Sequence, residues 1–314
     1  MTASSIFSKL SRQSDGSWTA AYGPFVLQSA LQPIFSQDAE GHFEVQAFEG
    51  LIRPSRGGDP VRPAEFFPAV TRDDKGMIDS LCRTLHIFNT GALGRARAKL
   101  FVNFHPGLFV TDADIRREVE MMRLAANEAG LTPKRVVCEI TQKENDSADM
   151  LAHFVEELRA RGFMIAIDEY GADERDAARM KLLKPDFVKF EASWVKEFLE
   201  NSAGYALLGV MVRQIKDQGA VPIFEGLEDL RQADLCQNLE VPLLQGYALA
   251  RPEIAPTSFN DEFPETNDAA AFDTRQSQEL QRYDPALHMP KSIYSAPPQL
   301  GGLRRATAFG KRTR

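Results

Sequence analysis

The sequence predicts an α/β protein built as a modified TIM-like (β/α)8 barrel with an antiparallel first strand, and three observations predict it. Eight apolar runs of strand length recur between residues 25 and 249. Segments with apolar residues at three and four spacing separate most of them, and alternation of strand and helix points to a parallel sheet with crossover helices. Eight such strands within about 250 residues suit a closed barrel. The first two runs have no helix between them, so they pair as an antiparallel hairpin.

In order, "FVLQSALQPIF" (25–35) and "VQAFEGLI" (45–52) are joined by the polar link "SQDAEGH". The helix "GMIDSLCRTLHIFNTGALGRARAK" leads to "LFVNFH" (100–105), and "DIRREVEMMRLAANEAG" leads to "VVCEIT" (136–141). "SADMLAHFVEELRARG" precedes "FMIAIDEY" (163–170), and "RDAARMKLLK" precedes "FVKFE" (187–191). "WVKEFLENSAGYALLGVMVRQIKDQG" precedes "AVPIFEGL" (220–227), and "LRQADLCQNLE" precedes "LLQGYAL" (243–249). Several of these helices end near Gly, the usual stop signal. The expected organisation is an N-terminal extension over 1–24, a barrel over 25–253 and a disordered tail over 254–314. The tail is rich in Pro, Ser and Thr, and carries Lys291, Arg304, Arg305, Lys311, Arg312 and Arg314 with no acid after Asp284.

Composition narrows the function classes. At 43% hydrophobic and 26% charged, the 314 residues are those of an ordinary globular chain rather than a disordered or fibrous one. A formal net charge of −7 argues against general nucleic-acid binding, which needs a phosphate-neutralising excess of Lys and Arg. Cys82, Cys138 and Cys236 are far apart and form no Cys-x-x-Cys pair, so neither a disulfide framework nor a zinc site is expected. The N-terminus lacks a continuous apolar core, and no stretch approaches the roughly 20 apolar residues of a membrane span. A reducing, cytoplasmic setting is the expectation.

Polar residues sit late in the apolar runs, about one per strand-helix unit: Glu49, Asn103, Glu139, Asp168 with Glu169, Lys189 with Glu191, Glu225 and Gln245. In a (β/α)8 barrel the carboxyl ends of all strands converge on one face, where active sites are built. Carboxylates gathered there repel and raise one another's pKa unless cations share them. Oxygen donors with one Asn carbonyl suit Mg²⁺ or Mn²⁺ better than zinc or copper. Two such ions, roughly 3.5 to 4 Å apart, serve in-line attack on phosphorus. Taken singly, each residue has a plainer role: a strand-end ion pair for the Glu residues and Lys189, a turn for Asn103 and Gln245, a helix start for Asp168 and Glu169. The five histidines show no metal-ligand spacing.

"LQPIF", "FEGLIR", "FVNF", "CEIT", "IAIDEYG", "LKPDFVKF", "FEGLED" and "LLQGYALARP" run in this order between residues 25 and 252. In order and spacing they resemble the EAL-domain family of cyclic-di-GMP phosphodiesterases, bacterial enzymes that often pair as homodimers. The resemblance implies hydrolysis of cyclic-di-GMP to linear pGpG with two Mg²⁺ or Mn²⁺ ions per site. It implies that Glu49, Asn103, Glu139 and Asp168 hold one metal, that Asp168 bridges to the second, and that Glu169 completes that second site. Lys189 and Glu225 would hold and deprotonate the attacking water, while Gln32, Leu51, Arg53 and Gln245 would line the dinucleotide site. Arg53 suits a phosphate through its planar fork of donors.

The chain departs from the family pattern at named positions. Gly50 replaces the usual alanine of the Glu-Ala-Leu signature, and Gln142 stands where the family has a loop-steadying glutamate. "GADERD" replaces the frequent Gly-Thr-Gly-Tyr-Ser-Ser loop, and Glu169 and Glu191 replace aspartates. The alternative to an active enzyme is a weak or inactive EAL-like domain that acts as a cyclic-di-GMP receptor. An unrelated metal-dependent barrel hydrolase of carbohydrates or phosphosugars is a third reading, by fold analogy alone.

Overall fold

The computed structural model describes residues 6–109, 111–140, 148–171 and 174–265. Gln142 and the basic end of the chain lie outside the described residues. One compact unit spans Met1–Asn267.

Among the described residues the strands are β1 (Leu10–Arg12), β2 (Trp18–Tyr22), β3 (Phe25–Gln37), β4 (Phe43–Arg56), β5 (Asp59–Pro60), β6 (Lys99–Phe104) and β7 (Val136–Ile140). They continue with β8 (Met164–Tyr170), β9 (Phe187–Phe190), β10 (Val221–Phe224), β11 (Leu243–Leu244) and β12 (Glu253–Ile254). β3, β4 and β6 to β11 close a barrel, because β3 pairs with β4 on one side and β11 on the other. β3 runs antiparallel to both neighbours, and the remaining pairs are parallel. The reversal follows from the link between β3 and β4, which is too short for the crossover that a parallel pair requires.

The barrel is filled at one level by a single side chain from each strand: Ile34, Ala47, Phe101, Val137, Ala166, Phe187, Ile223 and Leu243. All are nearly inaccessible, so this layer is a packed floor rather than a channel. Helices Lys75–Ala92, Asp112–Glu128, Ala148–Ala160, Glu174–Leu183, Ser202–Asp217 and Leu230–Asn238 cover the outside. Among the described residues side chains cap three of the helices: Thr111, Asn201 and Asp229 accept from Asp114 N, Gly204 N and Gln232 N.

The ends of the chain depart from expectation. The N-terminal extension contains a hairpin, β1 and β2, that lengthens the sheet beyond β3. One face of β2 turns Trp18 and Ala20 onto helix Lys75–Ala92, where the Asn89 amide bonds both the N–H and the carbonyl of Trp18 at 2.9 Å. The expected tail boundary at 254 is corrected, because β12 pairs with β3 and Phe259 is buried beside Phe48. Glu265 accepts from the N–H groups of Ala96 and Arg97. Among the described residues no helix is long and apolar enough to cross a membrane, and the three cysteines are buried and unpaired.

Candidate active site at the barrel mouth

Side chains alternate along a strand, so a step of two residues stays on the same face. Two residues beyond the apolar floor, every strand delivers a polar group to the mouth. From Ala47, Phe101, Val137 and Ala166 the step reaches Glu49, Asn103, Glu139 and Asp168. From Phe187, Ile223 and Leu243 it reaches Lys189, Glu225 and Gln245. β3 runs the other way, and its step from Ile34 reaches Gln32, the cross-strand partner of Glu49.

Lys189 is the hub of this layer. Its ammonium is 2.9 Å from Glu139 Oε1, 3.1 Å from Glu49 Oε2, 3.2 Å from Glu225 Oε2 and 3.8 Å from Asp168 Oδ1. Gln245 Nε2 donates to Glu49 Oε2 at 2.8 Å. Burial alone would push the Lys189 ammonium down, but the four carboxylates, Glu139 foremost, outweigh it and hold the group firmly protonated. Burial, together with Glu49 and Asp168, pushes the Glu139 carboxyl well above the usual carboxylate range despite Lys189. Burial raises Glu225 as well. One ammonium facing four carboxylates leaves excess negative charge in a dry place.

The donors fit a hard divalent cation. Both Glu139 oxygens, Asp168 Oδ1 and Gln245 Oε1 are buried and accept no hydrogen bond of acceptable geometry. Among the described residues, however, no three His, Cys, Asp or Glu side chains form a ready metal cage. The carboxylates are drawn to Lys189 instead, so a cation and the ammonium compete for Glu49 Oε2, Glu139 Oε1 and Asp168 Oδ1.

Glu169 is placed differently. A register shift between Ile167 and Tyr170 bulges β8 there, and Glu169 has φ of 53° with its side chain in solvent, making no ion pair with Lys189. The left-handed region costs a non-glycine residue about 1 to 2 kcal/mol. Glu169→Gly therefore raises unfolding free energy by about 1 kcal/mol, measured by urea titration. Glu191 caps helix Ala192–Leu199 by position, and its carboxylate accepts from the Ser193 hydroxyl.

Gly50 is explained by its neighbour. A β-carbon at Gly50 would lie 2.5 Å from Cγ of His86, a buried imidazole that pairs with Ser29 Oγ at 2.6 Å. Burial, aided by Arg53 and Arg83, lowers its pKa to about 3, so the ring is neutral. Restoring the family's alanine with Gly50→Ala costs about 1 to 3 kcal/mol in urea melts through overpacking. In a double-mutant cycle, much of that cost disappears on a His86→Ala background. A similar close approach occurs after Glu225, where Gly226 has φ of 76° and a β-carbon would meet Ala192 Cβ at 2.5 Å.

Two supports were not read from the sequence. Arg179 donates to the carbonyls of Ile140 at 3.0 Å and Asp168 at 3.3 Å and pairs with Asp176 at 3.0 Å, while Asp176 accepts from Gly171 N at 2.8 Å. This clamp ties the ends of β7 and β8 together beside the divergent loop. Arg83, almost fully buried, pairs with Asp79 and Glu118, lies 3.8 Å above the Phe104 ring and reaches the Asn103 carbonyl. The sequence hints at each only through helical spacing, three between Asp176 and Arg179 and four between Asp79 and Arg83.

Leu51 and Arg53 lie one and two further steps above Glu49 on the same face of β4, both half-buried. The family model described as "EAL domain" matches residues 26–252. The chain is 26% identical over 229 residues to the "Probable cyclic di-GMP phosphodiesterase PdeA" of Escherichia coli, covering 71% of this chain and 30% of that protein. It is 24% identical over 220 residues to the "Bifunctional diguanylate cyclase/cyclic di-GMP phosphodiesterase MucR" of Pseudomonas aeruginosa, covering 65% and 30%. It thus spans less than a third of each relative's length. Among solved structures, the Klebsiella pneumoniae BlrP1 manganese/cy-diGMP complex is similar at 26% identity and a TM-score of 0.65, covering 78% of this chain and 59% of that one. A BlrP1 calcium/cy-diGMP complex is similar at 27% identity and a TM-score of 0.64, covering 74% and 56%.

Proposed function

The chain belongs to the EAL domain family, and from that premise we propose that it hydrolyses cyclic-di-GMP to linear pGpG in a two-metal site at the barrel mouth. The observation that carries the reading is the polar layer itself: hard oxygen donors on successive strands, orphaned oxygens among them, around one buried lysine. A structural ion pair needs one carboxylate, and this lysine has four.

Glu49, Asn103, Glu139 and Asp168 would hold one Mg²⁺ or Mn²⁺, with Asp168 and Glu169 serving the second. When bound, such ions supply Lewis-acid charge to the reacting phosphate. Glu225 and Lys189 orient the attacking water, and Glu225, its carboxyl raised by burial, takes the proton as oxygen attacks phosphorus. The bond from phosphorus to the 3′-oxygen breaks, that oxygen takes up a proton from solvent to become the free 3′-hydroxyl, and the product is linear. Arg53 steadies a phosphate and Gln32, Leu51 and Gln245 frame the nucleotide, so the net negative charge of the chain is no obstacle.

A second reading has an observation of its own. The carboxylates close on Lys189 rather than on a shared cation position, and Glu169 faces solvent. Those features suit a receptor that binds cyclic-di-GMP and turns it over weakly. Calorimetric titration with cyclic-di-GMP, followed by chromatography of the mixture with Mg²⁺ or Mn²⁺, separates the two. The phosphodiesterase reading expects binding and accumulating pGpG; tight binding with no pGpG supports the receptor.

A further inference from the structure

The hairpin β3–β4 rises above the mouth, and its inner face continues past the carboxylate layer as the pairs Ala30 with Leu51, Gln28 with Arg53 and Val26 with Ser55. β2 extends this face sideways, since Thr19 is the cross-strand partner of Gln28. Thr19, Gln28 and Arg53 therefore form one polar row across three strands. The opposite face is packed: Ala20, Leu27 and Ile52 belong to an apolar cluster with helix Lys75–Ala92, so the row stands on a fixed support.

A pocket of about 750 Å³ opens over this row, where the edge of β3 passes from β2 to β12. Val26 and Ile254, exposed at 45% and 46%, give it apolar patches for a flat ring. Among the described residues the Arg53 side chain donates only to its neighbour's carbonyl, from Ile52, and has no carboxylate partner. The Gln28 side chain has no hydrogen-bond partner among the described residues, its backbone being held in the ladder. On the β1–β2 turn, Asp15 Oδ1 accepts both the N–H and the hydroxyl of Ser17, and the residue is exposed at the pocket. Gln13 Nε2 is spent on Ser11 O and Thr19 Oγ1, which fixes the turn against the row.

We propose that this pocket is a guanine-nucleotide subsite, in which the hairpin of residues 10–22 reads the half of the substrate lying outward of the phosphate at Arg53. It rests on the phosphodiesterase reading for the identity of the substrate, but its residues 10–22 precede the segment that the family model matches. The chemistry selects the base. Guanine presents two adjacent donors, N1–H and the 2-amino group, on the edge a carboxylate oxygen can accept, whereas adenine presents an acceptor at N1. Asp15 offers that carboxylate, Gln28 an amide for the remaining edge or the sugar, and Val26 with Ile254 the apolar contact.

The full chain is titrated with cyclic-di-GMP and, as simpler probes, with GMP and AMP, as wild type and as Asp15→Asn and Gln28→Ala. Both substituted residues are on the open face, and unchanged melting temperatures establish that the fold is intact. The expected result is about tenfold weaker binding of cyclic-di-GMP in each variant, and a preference for GMP over AMP that Asp15→Asn abolishes. Wild-type affinity for cyclic-di-GMP and GMP in both variants overturns the subsite while leaving the phosphodiesterase reading in place. GMP binding that depends on Asp15, in a protein that ignores cyclic-di-GMP, supports the subsite and overturns the substrate assignment. Absence of binding by all three probes overturns both.

Discussion

Lys189→Met lowers the stability of the metal-free protein by about 3 to 5 kcal/mol, the cost of leaving buried charges without their partner. Four carboxylates lie within 4 Å of the ammonium, and three of them, Glu49, Glu139 and Glu225, are within 3.2 Å. Without Lys189 they repel one another in a site where little solvent screens them. Mn²⁺ then stabilises the variant more than it stabilises the wild type, because the cation no longer competes with an ammonium for the same oxygens. Thermal melts with and without Mn²⁺ read both effects. Under the proposed function hydrolysis falls by on the order of 10² to 10³, because Lys189 is the proposed positive charge at the attacking water. A lysine that merely braced the fold would lose stability without any gain in the response to Mn²⁺.

Glu139→Gln moves stability the other way. Glu139 is fully buried, and burial holds its carboxyl well above its ordinary value of 4.5. A carboxyl whose pKa is raised on folding binds its proton more tightly in the native state. Its favourable contribution is complete below pH 4.5 and is lost as pH rises through the raised folded value. The neutral amide is free of that loss, and Lys189 still has three carboxylates. The variant therefore matches the wild type in acid and is more stable by on the order of 1 kcal/mol at alkaline pH. Under the proposed function its hydrolytic rate falls by about 10² or more, because Glu139 is one of the proposed cation ligands. Gain of stability with loss of activity marks a site maintained for chemistry against the interest of the fold. Urea titrations across pH, paired with initial rates, check the prediction, and a variant less stable at pH 8 contradicts it.

The barrel was legible because its signal repeats. Each strand pairs an apolar floor residue with a polar residue two positions on, and that parity survives any error of one or two residues at the strand ends. Position late in each run singled out Glu49, Asn103, Glu139, Asp168, Lys189, Glu225 and Gln245, which the structure gathers in one layer, while Gln32 came from the family resemblance alone. The role of Glu169 in a second metal site came from the family resemblance and not from this alternation; in the structure the β8 bulge and a left-handed backbone leave its side chain exposed, a local backbone choice that apolar patterning does not encode.

The N-terminal hairpin was readable but unread. Asp15 and Gly16 form a strong turn signal, yet the flanking strands, three and five residues long, alternate too briefly to stand out from a polar extension. Residues 254–265 look like tail by composition, and their order comes from a few distant anchors such as Arg95 and Phe48. Gly50 shows a different limit: a missing methyl group in a motif gains meaning only once the ring of His86, 36 positions later, is seen against it. The role of Lys189 as hub was likewise hidden, since the sequence supplies a lysine and four acids but not which oxygens face it.

We propose the layer around Lys189 as a metal-dependent phosphodiesterase centre. Single-turnover conversion of cyclic-di-GMP to pGpG, followed against Mn²⁺ concentration in the wild type and in Glu139→Gln after chelation and re-addition of metal, tests it most directly. The expected result is a rate that vanishes without metal, saturates with Mn²⁺ in the wild type and stays at least a hundredfold lower in Glu139→Gln at every concentration. Metal-independent hydrolysis, or bound cyclic-di-GMP that never yields pGpG at saturating Mn²⁺, would contradict it.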